Sequence, residues 1–217
     1  MNVFFSHNLF LMLVCVLFCI SSCKPKQYQP CSGDLLFQVS EDSDFSEAII
    51  RSTGNSQNYN FSHVGIVEKA GNAVYVIEAV PEFGVRKVTL SQFLNASAKS
   101  PDGNPLLVAC RLKPDIEMQK PAKNAHLLIG MPYDSVFSHD NKAYYCSELV
   151  YDSYLDASGD NLFHQVDMSF SDTAGNVLPY WEAYFAEMNM PIPEGKPGTN
   201  PTQLFQSEHL EIVCRFW

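Results

Sequence analysis

Basic residues are scarce in this chain. Lys and Arg total 14 against 24 Asp and Glu, for a formal net charge of −10. No basic run offers a surface to a polyanion, so nucleic acid is not expected as a partner. Gly (11) and Pro (13) are too few for a collagen-like or linker-dominated chain of 217 residues. Charge is low at 18% and hydrophobic residues reach 46%, which excludes an intrinsically disordered chain. The length suits one well-cored domain. Metal-ligand spacings such as CxxC and HExxH do not occur, so neither a metal nor another cofactor is expected.

Residues 1–22 contain no Lys, Arg, Asp or Glu. Leu9–Ile20 is an apolar run of twelve residues, short for a membrane span and the right length for a signal-peptide core. It leads into Ile20-Ser21-Ser22-Cys23, which resembles a bacterial lipobox, and that resemblance implies lipidation at Cys23. The alternatives are a single N-terminal anchor or a plain secretory signal. The expected organisation is a lipoprotein signal peptide over 1–22, a polar tether over 23–31 and one catalytic domain over 32–217. Export followed by lipid anchoring to the envelope membrane, facing the periplasm, is the expected location. Such a compartment permits disulfides. Cys110 and Cys214 lie in strand-like apolar runs and read as buried, with a Cys31–Cys110 or Cys110–Cys214 bridge left open.

Periodicity gives an α+β pattern rather than a regular βαβ alternation. Strands are predicted over 34–39, 61–69, 73–80, 85–89, 106–112 and 209–216, and helices over 44–51, 90–96, 114–130, 144–155 and 178–188, with Pro121 as a break or the first turn of a second piece within 114–130. The segments 61–69 and 73–80 flank Ala70-Gly71-Asn72 and read as a hairpin. Residues 191–201 read as a loop.

Three residues call for a chemical explanation. Cys146 stands near the start of the predicted 144–155 helix, where free N–H groups and positive potential favour a thiolate. The alternative is a buried structural cysteine. His63 sits in an apolar strand with Gly65 two residues on, which leaves room for something to approach. Glu78 stands in the apolar strand Val74–Val80, where a carboxylate is costly unless paired. The hairpin turn decides whether these two meet. A turn at Ala70-Gly71 places His63 opposite Glu78; a turn at Gly71-Asn72 makes them diagonal neighbours on one face; a three-residue turn separates them. Glu68 and Glu82 are rival partners near strand ends. A His–carboxylate pair fixes the imidazole tautomer and supports its protonated form. Asp34 reads as a turn residue, and His126, His139, His164 and His209 read as surface or structural.

Ordinary papain-like enzymes run Cys, His, then Asn or Asp; in the order His63, Glu78, Cys146 the nucleophile comes last, as in a circular permutation of that fold or in the sentrin-protease type. Gly33-Asp34-Leu35-Leu36-Phe37, Ser62-His63-Val64-Gly65-Ile66-Val67, Gly130-Met131-Pro132-Tyr133-Asp134 and Tyr145-Cys146-Ser147-Glu148-Leu149-Val150 resemble the permuted papain-like branch of the NlpC-type cysteine peptidases, the YiiX-like amidases. The tail Gly198–Leu204 is similar too, whereas Asn104-Pro105 and residues 156–176 match nothing in that branch. The resemblance implies a circularly permuted papain-like fold, an antiparallel sheet or barrel packed against helices. It implies a triad of Cys146, His63 and Glu78. It also implies hydrolysis of an amide in cell-wall peptides or other amide-linked small substrates. The Cys146 N–H is expected to face the oxyanion, with Tyr145, Tyr144 and Tyr133 as further candidates for oxyanion or substrate contacts. The competing readings are a thioester-forming lipid acyltransferase or acyl hydrolase of the lecithin–retinol acyltransferase type, and a non-catalytic binding module. Relatives of that acyltransferase usually carry a second His where this chain has Glu78.

Overall fold

The computed structural model describes residues 28–41, 43–54, 60–117, 119–139 and 141–217. The expected signal peptide, the Cys23 lipidation site and most of the tether lie outside the described residues. The apolar run after Gly33 is β1 (Leu35–Gln38), followed by α1 (Asp44–Ser52). Ser43 caps α1 by accepting from the Ser46 N–H, and Asp44 and Glu47 in the first turn with Arg51 in the last complement the helix dipole. Then come β2 (His63–Ala70), β3 (Ala73–Val80), β4 (Gly84–Thr89) and α2 (Leu90–Asn95), the last capped reciprocally by Thr89 and Gln92. The chain continues with β5 (Leu107–Leu112), α3 (Pro121–Leu127), α4 (Cys146–Ser153) and β6 (Val166–Asp167). It ends with α5 (Pro179–Glu187), β7 (Pro197–Gly198), α6 (Pro201–Phe205) and β8 (Leu210–Arg215).

The main sheet is antiparallel throughout, in the order β4-β3-β2-β1-β5-β8. β4 and β8 are its two edges, so among the described residues the sheet is open and does not close into a barrel. Strand alternation gives it two apolar faces. Leu35, Phe37, Val64, Ile66, Ile77 and Val108 pack with Leu149, Val150 and Tyr154 of the α4 region. Leu36, Val67, Val76, Leu107 and Ala109 pack around Phe93 of α2 on the other side. A separate aromatic cluster joins Phe137, Tyr145, Phe170, Trp181 and Phe185, with Phe45 of α1 edge-on to Trp181 at 5.8 Å between ring centres.

Several expectations are corrected. Of the helix expected over 114–130, only the piece that starts at Pro121 forms, as α3; among the described residues none before it is helical. The loop expected over 191–201 holds β7 and the start of α6. Phe61, which strict alternation along the predicted 61–69 strand puts on the face of His63, precedes β2 and packs into the core on the opposite face. Neither of the two disulfides left open forms: Cys31, Cys110 and Cys214 are free. Cys110 pairs with Ile212 and Cys214 with Ala109. Cys110 thus belongs to the α4 face and Cys214 to the α2 face, and a bridge cannot cross the sheet.

Candidate active site

The hairpin register follows from its pairs: Lys69 faces Val74 and Ile66 faces Ile77, so the turn is Gly71-Asn72. That register makes His63 and Glu78 diagonal neighbours on one face. His63 Nε2 and Glu78 Oε2 are 2.8 Å apart, and both side chains are buried. The second hairpin extends the row. Glu78 is directly opposite Arg86 on β4, whose Nε and terminal nitrogen both reach Glu78 Oε1, at 2.9 and 2.8 Å. On the other side, Gln38 of β1 is directly opposite His63. A polar row of Gln38, His63, Glu78 and Arg86 therefore crosses four strands at one end of the sheet.

Gly65 supports this row from below. A Cβ at Gly65 would collide with Val76 Cγ1 and lie 2.9 Å from the Phe93 ring. The room left by this glycine is filled by Phe93, whose ring centre lies 5.8 Å from that of His63. The imidazole thus rests on a fixed aromatic floor.

Cys146 comes from the opposite face of the sheet, and the preceding loop sets its position. Gly130 N–H donates to Val85 and Val85 N–H donates to Met131, both at 2.8 Å. The loop can approach β4 this closely because Gly84 has no side chain: a Cβ there would strike the Met131 carbonyl. Tyr144 N–H then donates to Pro132, and α4 begins. Asp134 braces the loop by accepting from Val136 N–H and Ser138 N–H at 2.9 and 2.7 Å. Within the helix, buried Glu148 accepts from Tyr145 N–H at 3.4 Å and meets His139 Nδ1 at 3.1 Å. His139 therefore has a partner in the site's support, as His126 has Glu68 at 2.6 Å; neither pairing could be named from the sequence. Cys146 is the first helical residue. Its N–H and that of Ser147 fall in the first turn, where no intrahelical acceptor exists, so they are available to a developing negative charge.

Cys146 and His63 line one cavity, and the sulfur is among the groups that raise the imidazole pKa. Nε2 is taken by Glu78, which leaves Nδ1 as the ring's other nitrogen. Burial pushes the imidazole down, but the neighbouring Cys146 sulfur and Glu78 carboxylate outweigh it and hold His63 at about 10. Burial likewise pushes the Glu78 carboxyl up, and His63 and Arg86 overcome it, leaving the group below its ordinary value. The ring is thus an imidazolium at neutral pH, flanked by an anion.

Two cavities share Cys146. One, of about 360 Å³, is lined by Phe137, Val166, Met168, Phe170 and Trp181 together with Cys146 and Ser147. The other, of about 470 Å³, holds His63, Glu78, Gln38, Glu41 and Glu82. Tyr133 lines both. Burial, and then Cys146, raise its phenol well above the ordinary range. Tyr145 also lines the aromatic cavity, but its hydroxyl accepts from Thr199 N–H at 3.1 Å, which ties it to the β7–α6 connection. Tyr144 lies against the core and lines neither cavity. Of the three tyrosines, Tyr133 is thus the one beside the sulfur on both sides.

Other polar groups escaped sequence reading. Arg86 was legible by extending the register arithmetic around the Pro81–Phe83 turn. Among the described residues, Ser147 Oγ, Thr199 Oγ1 and Gln203 Oε1 in the aromatic cavity, and Gln38 Oε1 in the other, are buried without a partner; no local motif marks them. Among the described residues no group of three His, Cys, Asp or Glu side chains is placed to hold a metal ion.

Comparison with known proteins places this arrangement. The uncharacterized protein YiiX of Escherichia coli strain K12 is 29% identical over 196 residues, covering 88% of this chain and 89% of that protein. A crystal structure described as metalloprotein yiiX from Escherichia coli O157:H7 is similar with a TM-score of 0.67 at 25% identity, covering 88% of this chain and 99% of that one. Residues 29–214 match the family described as permuted papain-like amidase enzyme, YaeF/YiiX, C92. With its strands first and its cysteine helix late, the chain belongs to the permuted papain-like amidase family.

Proposed function

We propose that the protein is a cysteine amide hydrolase, an amidase or peptidase, working through a thioester at Cys146. The observation that carries this reading is the buried His63–Glu78 pair at 2.8 Å in the cavity that Cys146 also lines. The Cys146 thiolate adds to the amide carbonyl, and the oxyanion is met by the N–H groups of Cys146 and Ser147. The C–N bond breaks as the His63 imidazolium gives its proton to the leaving amine. Neutral His63 then takes a proton from water, the hydroxide adds to the thioester, and the C–S bond breaks. Sulfur leaves as thiolate and His63 keeps its proton, so the starting ion pair returns. Glu78 holds the ring and its positive charge throughout.

The substrates are peptides of the cell wall or other amide-linked small molecules. An acid as third member, in place of a second His, supports hydrolysis over acyl transfer. The leader and Cys23 support an exported protein held by lipid on the envelope membrane, with its catalytic domain in the periplasm; a Cys23→Ser variant that stays membrane-bound would contradict this.

The decisive test compares wild type with Cys146→Ala on cell-wall peptides and on acyl amides. Loss of turnover by at least about 10³-fold is expected, with a thioester-mass adduct trapped on wild type alone. Equal turnover by both proteins would remove the nucleophile.

A further inference from the structure

A chain of net charge −10 nevertheless gathers cations at one place. A cleft of about 800 Å³ lies at the end of β1 remote from His63, and its wall carries Lys69, Arg111, Lys120, Lys123 and His126. Two carboxylates, Asp34 and Glu68, share that wall. Arg111 is held by Asp34, and His126 by Glu68. Lys69, Lys120 and Lys123 are exposed and have no carboxylate partner among the described residues. Folding brings the three together from β2 and from the start of α3, so no run in the sequence marks the patch.

Beside these cations stands an apolar side chain that the fold does not bury. Leu127 is 73% exposed, more than any other large apolar side chain among the described residues. Lys123 and Leu127 are four apart and share one side of α3, away from buried Ala122 and Ala125. Lysines around an exposed leucine suit the surface of a bilayer, where the cations meet phosphates and the leucine enters the headgroup boundary.

The segment before β1 says what covers this surface. Cys31 lines the same cleft. Ser32 Oγ accepts from Lys69 N–H at 2.9 Å, and Tyr28 hydroxyl and Cys31 N–H both donate to Asp34. The chain is therefore tied down at this end of the sheet from Tyr28 onward. Five residues lead from Cys23 to Tyr28 and can span at most about 18 Å. Two of them, Lys24 and Lys26, are basic. A lipid on Cys23 would bring the bilayer to this end of the domain. We infer that the face formed by Lys69, Lys120, Lys123 and Leu127 docks on anionic phospholipid headgroups. Docking presupposes the Cys23 anchor proposed above and goes beyond it, because it fixes which side of the domain meets the membrane. The anchor holds the protein; the face turns it.

The orientation bears on how substrate arrives. Gln38 and His63 stand at the other end of the same strands, and six residues of β2 separate His63 from Lys69, about 20 Å. Docked on the lysine face, the domain holds its catalytic row away from the headgroups. Substrates then reach Cys146 from the aqueous side.

The test places the full chain, with whatever it carries at Cys23, on phosphatidylcholine vesicles with or without phosphatidylglycerol, their acyl chains brominated near the headgroup to quench tryptophan. The chain's own two tryptophans are the control. Trp181 is buried; Trp217, 42% exposed, follows Phe216, which bonds Leu107 opposite Gln38 at the catalytic end. Wild type should not be quenched. Leu127→Trp should add emission that is quenched on vesicles containing phosphatidylglycerol. The docked-to-undocked ratio should fall about fivefold for each of Lys69→Gln, Lys120→Gln and Lys123→Gln, and it should fall as salt rises. Quenching of wild type overturns the orientation. If Leu127→Trp floats with the vesicles but is not quenched, or is quenched equally on phosphatidylcholine alone, docking falls and the anchor stands. If the protein carries no lipid mass at Cys23, the anchor falls; docking then survives only if Leu127→Trp is still quenched on phosphatidylglycerol at low salt, and is overturned otherwise. No readout depends on Cys146, so failure of the hydrolytic reading leaves each result unchanged.

Discussion

Two buried carboxylates at opposite ends of β1 hold an arginine each, yet they serve different ends. Asp34, just before β1, meets Arg111 of β5; Glu78 meets Arg86 of β4. The arginines are alike in exposure, at 34% and 35% of their side chains, so solvent does not distinguish the sites. The geometry of the fork does. Arg111 straddles Asp34, with Nε on Oδ1 at 2.6 Å and a terminal nitrogen on Oδ2 at 2.9 Å. Tyr28 hydroxyl and Cys31 N–H then crowd Oδ2 at 2.7 and 2.9 Å. Both oxygens are occupied, and the result is a clamp on the segment before the sheet. Asp34, expected to be a turn residue, is this clamp's centre. Arg86 instead places both nitrogens on Oε1 of Glu78, and Oε2 remains for His63. One saturated carboxylate stabilises; the other, half-open, orients a titratable ring beside a thiol.

The largest consequence concerns Glu78. Glu78→Gln keeps a hydrogen-bond acceptor but removes the anion, and kcat/KM for amide hydrolysis should fall by about 10²-fold. The pH profile should move as well. In wild type the imidazolium persists until pH rises through about 10, so the alkaline limb belongs there; the variant should bring it to lower pH. Stability carries the same sign. A His63 pKa raised from 6.5 to about 10 gives a contribution fully present below 6.5 and lost as pH rises through 10. Thermal unfolding across that window should show the loss in wild type and a smaller loss in the variant. Glu78, held below 4.5, contributes above that value and loses its share as pH falls through its depressed pKa.

Asp34→Asn should invert the pattern. Breaking a pair with a fully buried partner costs about 3 kcal/mol, read by urea unfolding, while kcat/KM stays within about twofold of wild type. A large kinetic defect there, with stability intact, would erase the distinction between the two sites. Arg86→Met should be milder. Glu78 loses its guanidinium, its carboxyl rises, and the acidic limb of the rate profile shifts to higher pH with a several-fold loss in kcat. An unmoved limb would mean that Arg86 does not tune Glu78. The smallest effect is expected for Tyr28→Phe, which removes one bond to Asp34 and should cost about 1 kcal/mol with no change in any pH profile.

The parts of this site that were legible in the sequence are those set by local geometry. The Gly71-Asn72 turn fixes a register, and a register fixes which side chains share a face, so the His63–Glu78 pair was within reach of arithmetic. Cys146 at a helix start was likewise a local signal. The aromatic cavity was not, because Phe137, Phe170 and Trp181 come from three separate segments and meet only through long-range packing. The segment 156–176, unreadable by period, contributes Val166, Met168 and Phe170 to that wall. Pro121 was legible as a helix start, because proline begins helices more readily than it continues them; the helix expected before it was not there.

The loop before α4 rests on β4 through two main-chain bonds at the bare Gly84. That seam joins the part of the molecule bearing the sulfur to the part bearing the ring. Neither reacting group takes part in it, yet their spacing is inherited from it. The alignment of thiol and imidazole is thus written into backbone contact some distance from the chemistry, and a single methyl group at the seam would part the two halves of the relay without altering either one.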